Sequence, residues 1–192
     1  MEMELDDWPK LQPVFQRLLS GYHISSEDFD LYHDLQDRET DYNLLFQALG
    51  YTLKSDPRGF YHFLPDAERA MNTTTRKMAL LMFAMVEALA DEGQDPVAVI
   101  RKGSQNVRQL SEKLFEKQEQ ILTEGGLDSP DAVEKCFVNN FVGLGFASLN
   151  GDALRFRPPV NRFLDVCAEL GRQGTAEASE DTVSAGEEND SE

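Results

Sequence analysis

The sequence predicts a mainly α protein with small β-hairpins (α+β), in which one unit, three helices closed by a hairpin, occurs twice. Three observations predict it. Helical apolar periodicity stops at a glycine in two places, "LLFQALG" (44–50) and "FVGLG" (141–145). Each stop precedes two short apolar-rich segments around a turn signal, "DPRG" (56–59) and "NG" (150–151). The two stretches also overlay at an offset of 95 residues: Tyr42 falls on Phe137, Phe46 on Phe141, Leu49 on Leu144, Gly50 on Gly145 and Tyr51 on Phe146.

Trp8, Leu11, Phe15 and Leu18 recur at helical spacing, so residues 8–20 read as an amphipathic helix ended by Gly21. Ser25 or Ser26 can cap a short helix over 26–36, with acidic residues in its first turn. A third helix covers 39–49, and Gly50 is placed to be its left-handed stop. "YTLKS" and "FYHFL" flank Asp-Pro-Arg-Gly, which is type I turn chemistry between strand-like segments. Threonines 73–75 can cap a helix over 75–92, apolar nearly all round and so buried on more than one side. A helical turn over "DPVAVIRKG" and a helix over 104–123 follow. Ser129 caps the next helix, with Pro130 at its first position and Gly145 at its end. Asn150-Gly151 then marks a second hairpin, and a last helix covers 159–171. The hairpins differ in length by two residues, so Phe63 and Pro65 correspond to Phe156 and Pro158.

Three helices and a hairpin make the winged-helix arrangement, in which the hairpin covers the apolar edge that three short helices leave. The expected organisation is therefore two tandem winged-helix domains, 1–66 and 67–173, and a disordered acidic tail, 174–192. The formal net charge is -17, and seven acidic residues with no basic one lie from Gly174 onward. The rest is still acidic and repels a phosphate backbone at long range. The longest apolar run, "MALLMFAMV" (78–86), is too short for a membrane span, which needs about 20 residues. "MEMELDDWPK" does not read as a signal peptide, so a soluble, cytoplasmic protein is expected. Cys136 and Cys167 lie in apolar helical patterns and are expected to be reduced core residues.

A helix-turn-helix reader carries Arg, Lys, Asn or Gln into the major groove on its third helix. "ETDYNLLFQAL" has no Lys or Arg, and "SPDAVEKCFVNNFVGL" has only Lys135. That favours winged helices that bind protein. Basic residues gather in the second half: Lys113 and Lys117 at i,i+4, then Arg155, Arg157 and Arg162. They read either as solvated faces paired with Glu112, Glu116 and Asp165, or as a strip contacting DNA phosphates inside a larger complex. His23, His33 and His62 lack metal-site spacing, and no nucleophile motif or phosphate-cradling loop is present, so neither an enzyme nor a cofactor is expected.

"SGYHISSEDFDLYHDLQ" followed by a helix and "GFYHFLP" resembles the MukE/MksE family, the accessory subunits of MukBEF- and MksBEF-type bacterial condensins. The chain's length favours the shorter MksE type. The resemblance implies tandem winged helices, homodimers, and binding to the kleisin subunit that links the SMC ATPase heads. It also implies a nucleoid-associated role in chromosome organisation, with DNA held by the complex and no catalytic residues. A plasmid-defence condensin subunit, an ScpB-type subunit, a winged-helix transcriptional regulator and an acidic DNA mimic are the alternatives. Phe60, Tyr61 and Phe63 are the candidate partner-binding residues. Apolar groups alternate onto both faces of their strand, and a free hairpin buries only one.

Overall fold

The computed structural model describes residues 8–64 and 73–169. The expected tail, the 66/67 domain boundary and the end of the last helix lie outside the described residues. The chain forms two compact units, Met1–Val160 and Asn161–Glu192; in the second, residues 161–169 are a helix.

In the first unit, α1 (Leu11–Leu19) is followed by β1 (Ile24–Ser25), α2 (Phe29–Asp37), α3 (Glu39–Ala48), β2 (Leu53–Asp56) and β3 (Phe60–Phe63). Then come α4 (Thr73–Asp91), α5 (Pro96–Lys102), β4 (Ser104–Asn106), α6 (Val107–Glu124) and α7 (Pro130–Lys135). α7 runs on as a π-helical segment, Cys136–Val142, before β5 (Ala147–Asn150), β6 (Ala153–Phe156) and a 3-10 turn, Pro158–Val160. The two sheets are antiparallel with matching orders, β1-β3-β2 and β4-β6-β5. In both, the strand entering between two helices pairs with the last strand of the hairpin.

The two hairpins form as expected. Asp56 pairs with Phe60 across a three-residue loop whose Gly59 takes φ +87°. The Asp56 carboxylate accepts from the Arg58 backbone N–H at 2.9 Å, holding the turn. Asn150 pairs with Ala153, so the second loop is Gly151-Asp152; Gly151 alone takes positive φ, which sets glycine first in a primed turn. Gly50 and Gly145 end their helices at φ +82° and +80°.

Two helix starts differ from expectation. Ser25 is in β1, not a cap, and α2 begins only at Phe29; Ser104 is in β4, and α6 begins at Val107, where the Asn106 side chain accepts from Gln109 N–H at 3.0 Å. Both short strands are made by pairing with a hairpin strand far along the chain, which local periodicity does not register. The helix over 129–144 widens into a π-turn. A Cβ on Gly143 would lie 2.1 Å from the Asn139 carbonyl, so only glycine fits there.

The first half packs Val14, Leu18, Ile24, Leu35, Tyr42, Phe46 and Tyr61 into one core. In the second half α4 supplies Met78, Leu81, Met82 and Met85, all buried, and the π-segment supplies Phe137 and Phe141. These jobs follow from the all-round apolar character of α4 and from the Phe spacing of 137–141.

Candidate interaction surfaces

Phe60 and Tyr61 are 1% and 3% exposed and Phe63 is half-buried. Tyr61 faces the core, where its hydroxyl donates to Glu39 at 2.9 Å; burial, then that bond, push its pKa up to about 12. Phe60 and His62 occupy the other face of β3. The His23 ring lies 6.0 Å from Phe60, 5.0 Å from His62 and 4.3 Å from Phe146. His23 thus packs on this face of the hairpin and links it to Phe146 in the second half of the same chain. The expectation from sequence is that one face of the hairpin, or its edge, meets another chain; Phe60 and Tyr61 are themselves buried within this one. Sequence reading lacked the contact because it joins segments far apart.

Exposed apolar side chains include Phe29 and Leu44, and a half-buried aromatic group lies next to this strand. Phe63 stacks on Tyr51 at 5.0 Å, and Phe15 meets both rings at 5.6 and 6.2 Å. Near these rings in the chain, Leu19, one turn beyond Phe15, Leu49, just after α3, and Leu64 are 52%, 56% and 46% exposed.

Of the basic candidates, Arg157 is no surface group. It is 5% exposed and donates to Tyr22 Oη at 2.6 Å, Ser25 Oγ at 2.7 Å and the Asp28 carboxylate. Tyr22 in turn donates to Asp28 at 2.9 Å, and Glu27 stands 3.7 Å from the guanidinium. Burial opposes the Arg157 charge, but the bonds to Asp28 and Tyr22 outweigh it. Burial likewise raises the Tyr22 pKa, against the pull of the guanidinium. Beside this network the His23 N–H donates to the Leu144 carbonyl at 2.9 Å. A Cβ on Gly145 would lie 2.5 Å from the His23 carbonyl. The segment 21–28 and the segment 144–157 therefore form one polar seam between the halves. Sequence reading left Arg157 as either a solvated cation or a candidate DNA contact and missed Tyr22, Ser25 and Asp28; no motif marks a partner over a hundred residues away.

Lys113 and Lys117 both engage Glu92, in the turn directly after α4, Lys113 at 2.7 Å. The expected partners Glu112 and Glu116 are not the ones used; Glu112 faces Arg108 at 3.4 Å. The two lysine bonds hold the Glu92 carboxyl below the usual carboxylate range. Arg155 is exposed on the outer face of β6, opposite Ser104 and Ser148. Arg162 is half-buried in the helix 161–169. Of the five basic residues, the structure brings together only Lys113 and Lys117.

Cys136 is a buried free thiol whose pKa burial pushes up to about 11, and Cys167 is a half-buried free thiol. Among the described residues no group of three His, Cys, Asp or Glu could hold a metal, and no helix is long and apolar enough to cross a membrane.

The chain is mainly helical with two small antiparallel sheets of like order, the class that the fold defines. The family model for condensin complex protein MksE matches residues 9–168, and the chain belongs to that family. No curated protein matches it.

Proposed function

We propose that the chain is a non-catalytic accessory subunit of a bacterial condensin, built from two tandem winged-helix domains, 1–66 and 67–173. Family membership over residues 9–168 carries this reading. The matching strand orders and the helix–strand–helix–helix–hairpin sequence of both halves support the winged-helix assignment. The subunit forms a homodimer and binds the kleisin, and through it the SMC ATPase. Leu19, Leu49, Leu64 and the Phe15–Tyr51–Phe63 trio are the surface for one of these contacts. It acts in the cytoplasm on the nucleoid, in chromosome organisation and segregation. Phe63 remains a contact residue at the rim of this surface; Phe60 and Tyr61 support it from beneath.

DNA is contacted only within the assembly. α3 carries no Lys or Arg, so it brings no cation to a major groove. Arg155, Lys113, Lys117 and Arg162 are the cations left for phosphate contacts once Arg157 is spent on the seam.

Mixing the purified chain with its kleisin and measuring mass by light scattering tests the reading. The expected result is a discrete complex holding two copies of the chain, and a Leu49→Asp/Leu64→Asp variant that folds but loses one of the two associations. A chain that stays monomeric with and without the kleisin, and that shifts one DNA site in a gel at physiological salt, would replace this reading with a transcriptional regulator.

A further inference from the structure

The two sheets allow a residue-by-residue comparison of their free edges. Leu64 N–H donates to Thr52 and Arg157 N–H to Phe146, so the antiparallel alternation gives Ile24–Tyr61 and Gln105–Leu154 the same place in their ladders. The N–H groups of His23 and Ser25 then point off the free edge of β1. Both are satisfied: His23 donates to the Leu144 carbonyl at 2.9 Å and Ser25 to the Asp28 carboxylate at 3.0 Å. Both off-edge amides of β1 are thus satisfied within the chain, one by the turn that follows the π-helical segment and one by Asp28.

The same alternation, anchored by the Val107 N–H to Asp152 bond, points the N–H groups of Ser104 and Asn106 off the edge of β4. Neither has an acceptor among the described residues, and both residues are exposed. Asp28, which serves Ser25, has Gln109 in its place, and Gln109 N–H is itself capped by Asn106. Where Ile24 fills the first core, Gln105 turns toward an open cleft of about 270 Å³ floored by Met85, Leu89, Leu110 and Leu114. The Gln105 Nε2 is buried there without a partner among the described residues. Lys102 and Lys113 stand along the adjoining cleft, and Glu92, which lines the first, holds Lys113 at 2.7 Å.

We propose that the β4 edge receives an extended segment of another subunit of the condensin complex as a fourth strand, bearing an apolar side chain for the cleft and an acidic one for Lys102. This rests on the reading of the chain as a condensin subunit. The partner's carbonyls accept from Ser104 and Asn106, as Leu144 does from His23. A side-chain or main-chain oxygen of the segment accepts from Gln105 Nε2. Lys102 favours a carboxylate, and its charge disfavours a basic segment.

Amide hydrogen exchange on the full chain, alone and saturated with its kleisin and SMC subunits, tests this. The expected result is slowed exchange at Ser104 and Asn106 only in the complex. Ser104→Pro should weaken the complex about tenfold, the loss of one buried hydrogen bond, because its N–H makes no ladder bond. Gly103, at φ -88° and ψ 144°, already has the backbone a residue before proline needs. Lys102→Glu, at an exposed position, should weaken it as well. A complex that forms while both amides exchange as in the free chain, and in which both variants bind normally, overturns this inference alone. Failure to form any complex overturns the subunit reading with it. Protection that rises with the concentration of the chain by itself, or that appears only with a random-sequence DNA duplex, assigns the edge to a second copy or to nucleic acid and overturns the proposal.

Discussion

Arg157 and Leu64 stand directly after the matching residues Phe156 and Phe63, yet one is buried in a charged seam and the other is open to solvent. The difference lies in what each faces. Arg157 meets Tyr22, Ser25 and Asp28, between 129 and 135 residues away in sequence. Arg157→Leu should leave Asp28 partly buried without its counter-charge. The carboxylate keeps some contact with water, so a loss of about 2–3 kcal/mol is expected, at or below the low end for a broken buried pair, read as a lower urea midpoint. If the same substitution raises the midpoint, the seam is no net support. Tyr61 gives a pH signature. Its folded pKa, about 12, lies above the ordinary value of 10.0, so the folded state keeps its proton where the unfolded chain has lost it. That contribution is fully present below pH 10 and is lost as pH rises through about 12. Stability should therefore fall on the alkaline side, and Tyr61→Phe should make that fall shallower. Neither role was legible in the sequence: Arg157 looked like one more cation among five, and nothing near Tyr61 announced Glu39.

The helices that end at Gly50 and Gly145 show how far a repeat can be read before packing separates its copies. Both stops were visible as apolar periodicity running into glycine, and both take the left-handed turn that glycine tolerates. A Cβ at Gly50 would meet nothing within 4 Å, whereas one at Gly145 would strike the His23 carbonyl and the Tyr22 ring. Gly50→Ala should cost about 1 kcal/mol, the left-handed penalty by itself. Gly145→Ala should cost clearly more, because the backbone of the seam must move as well. Equal losses in thermal unfolding would mean that the halves do not press together at that point. The hairpins were legible for the same local reason, their turn chemistry. The strands β1 and β4 were not, since each is only two or three residues long and exists through a partner strand across the fold. The same blindness hid the β4 edge: Gln105 reads as an ordinary polar residue near a helix start until its ladder partner is known.

For the molecule as a whole, the two halves differ in what they leave open. The first half presents aromatic rings and leucines beside β3, the second an unfilled strand edge and a cleft beside β4. The sequence showed the absence of a cationic reading helix, which already pointed toward protein partners, and the family resemblance pointed to condensin. The surfaces that would do the holding became visible only with the coordinates, because burial decides which of many similar apolar residues remain available. Phe60 and Tyr61, the candidates for partner contact, are buried, whereas Leu19, Phe29, Leu44, Leu49 and Leu64 are among the large apolar groups left outside. Native mass spectrometry of the assembly purified from cells through a tag on its SMC ATPase tests the central claim most directly. The account predicts that this chain appears in fixed proportion to the kleisin and leaves together with it when the assembly is dissociated. An intact ATPase–kleisin assembly that never contains the chain would contradict it.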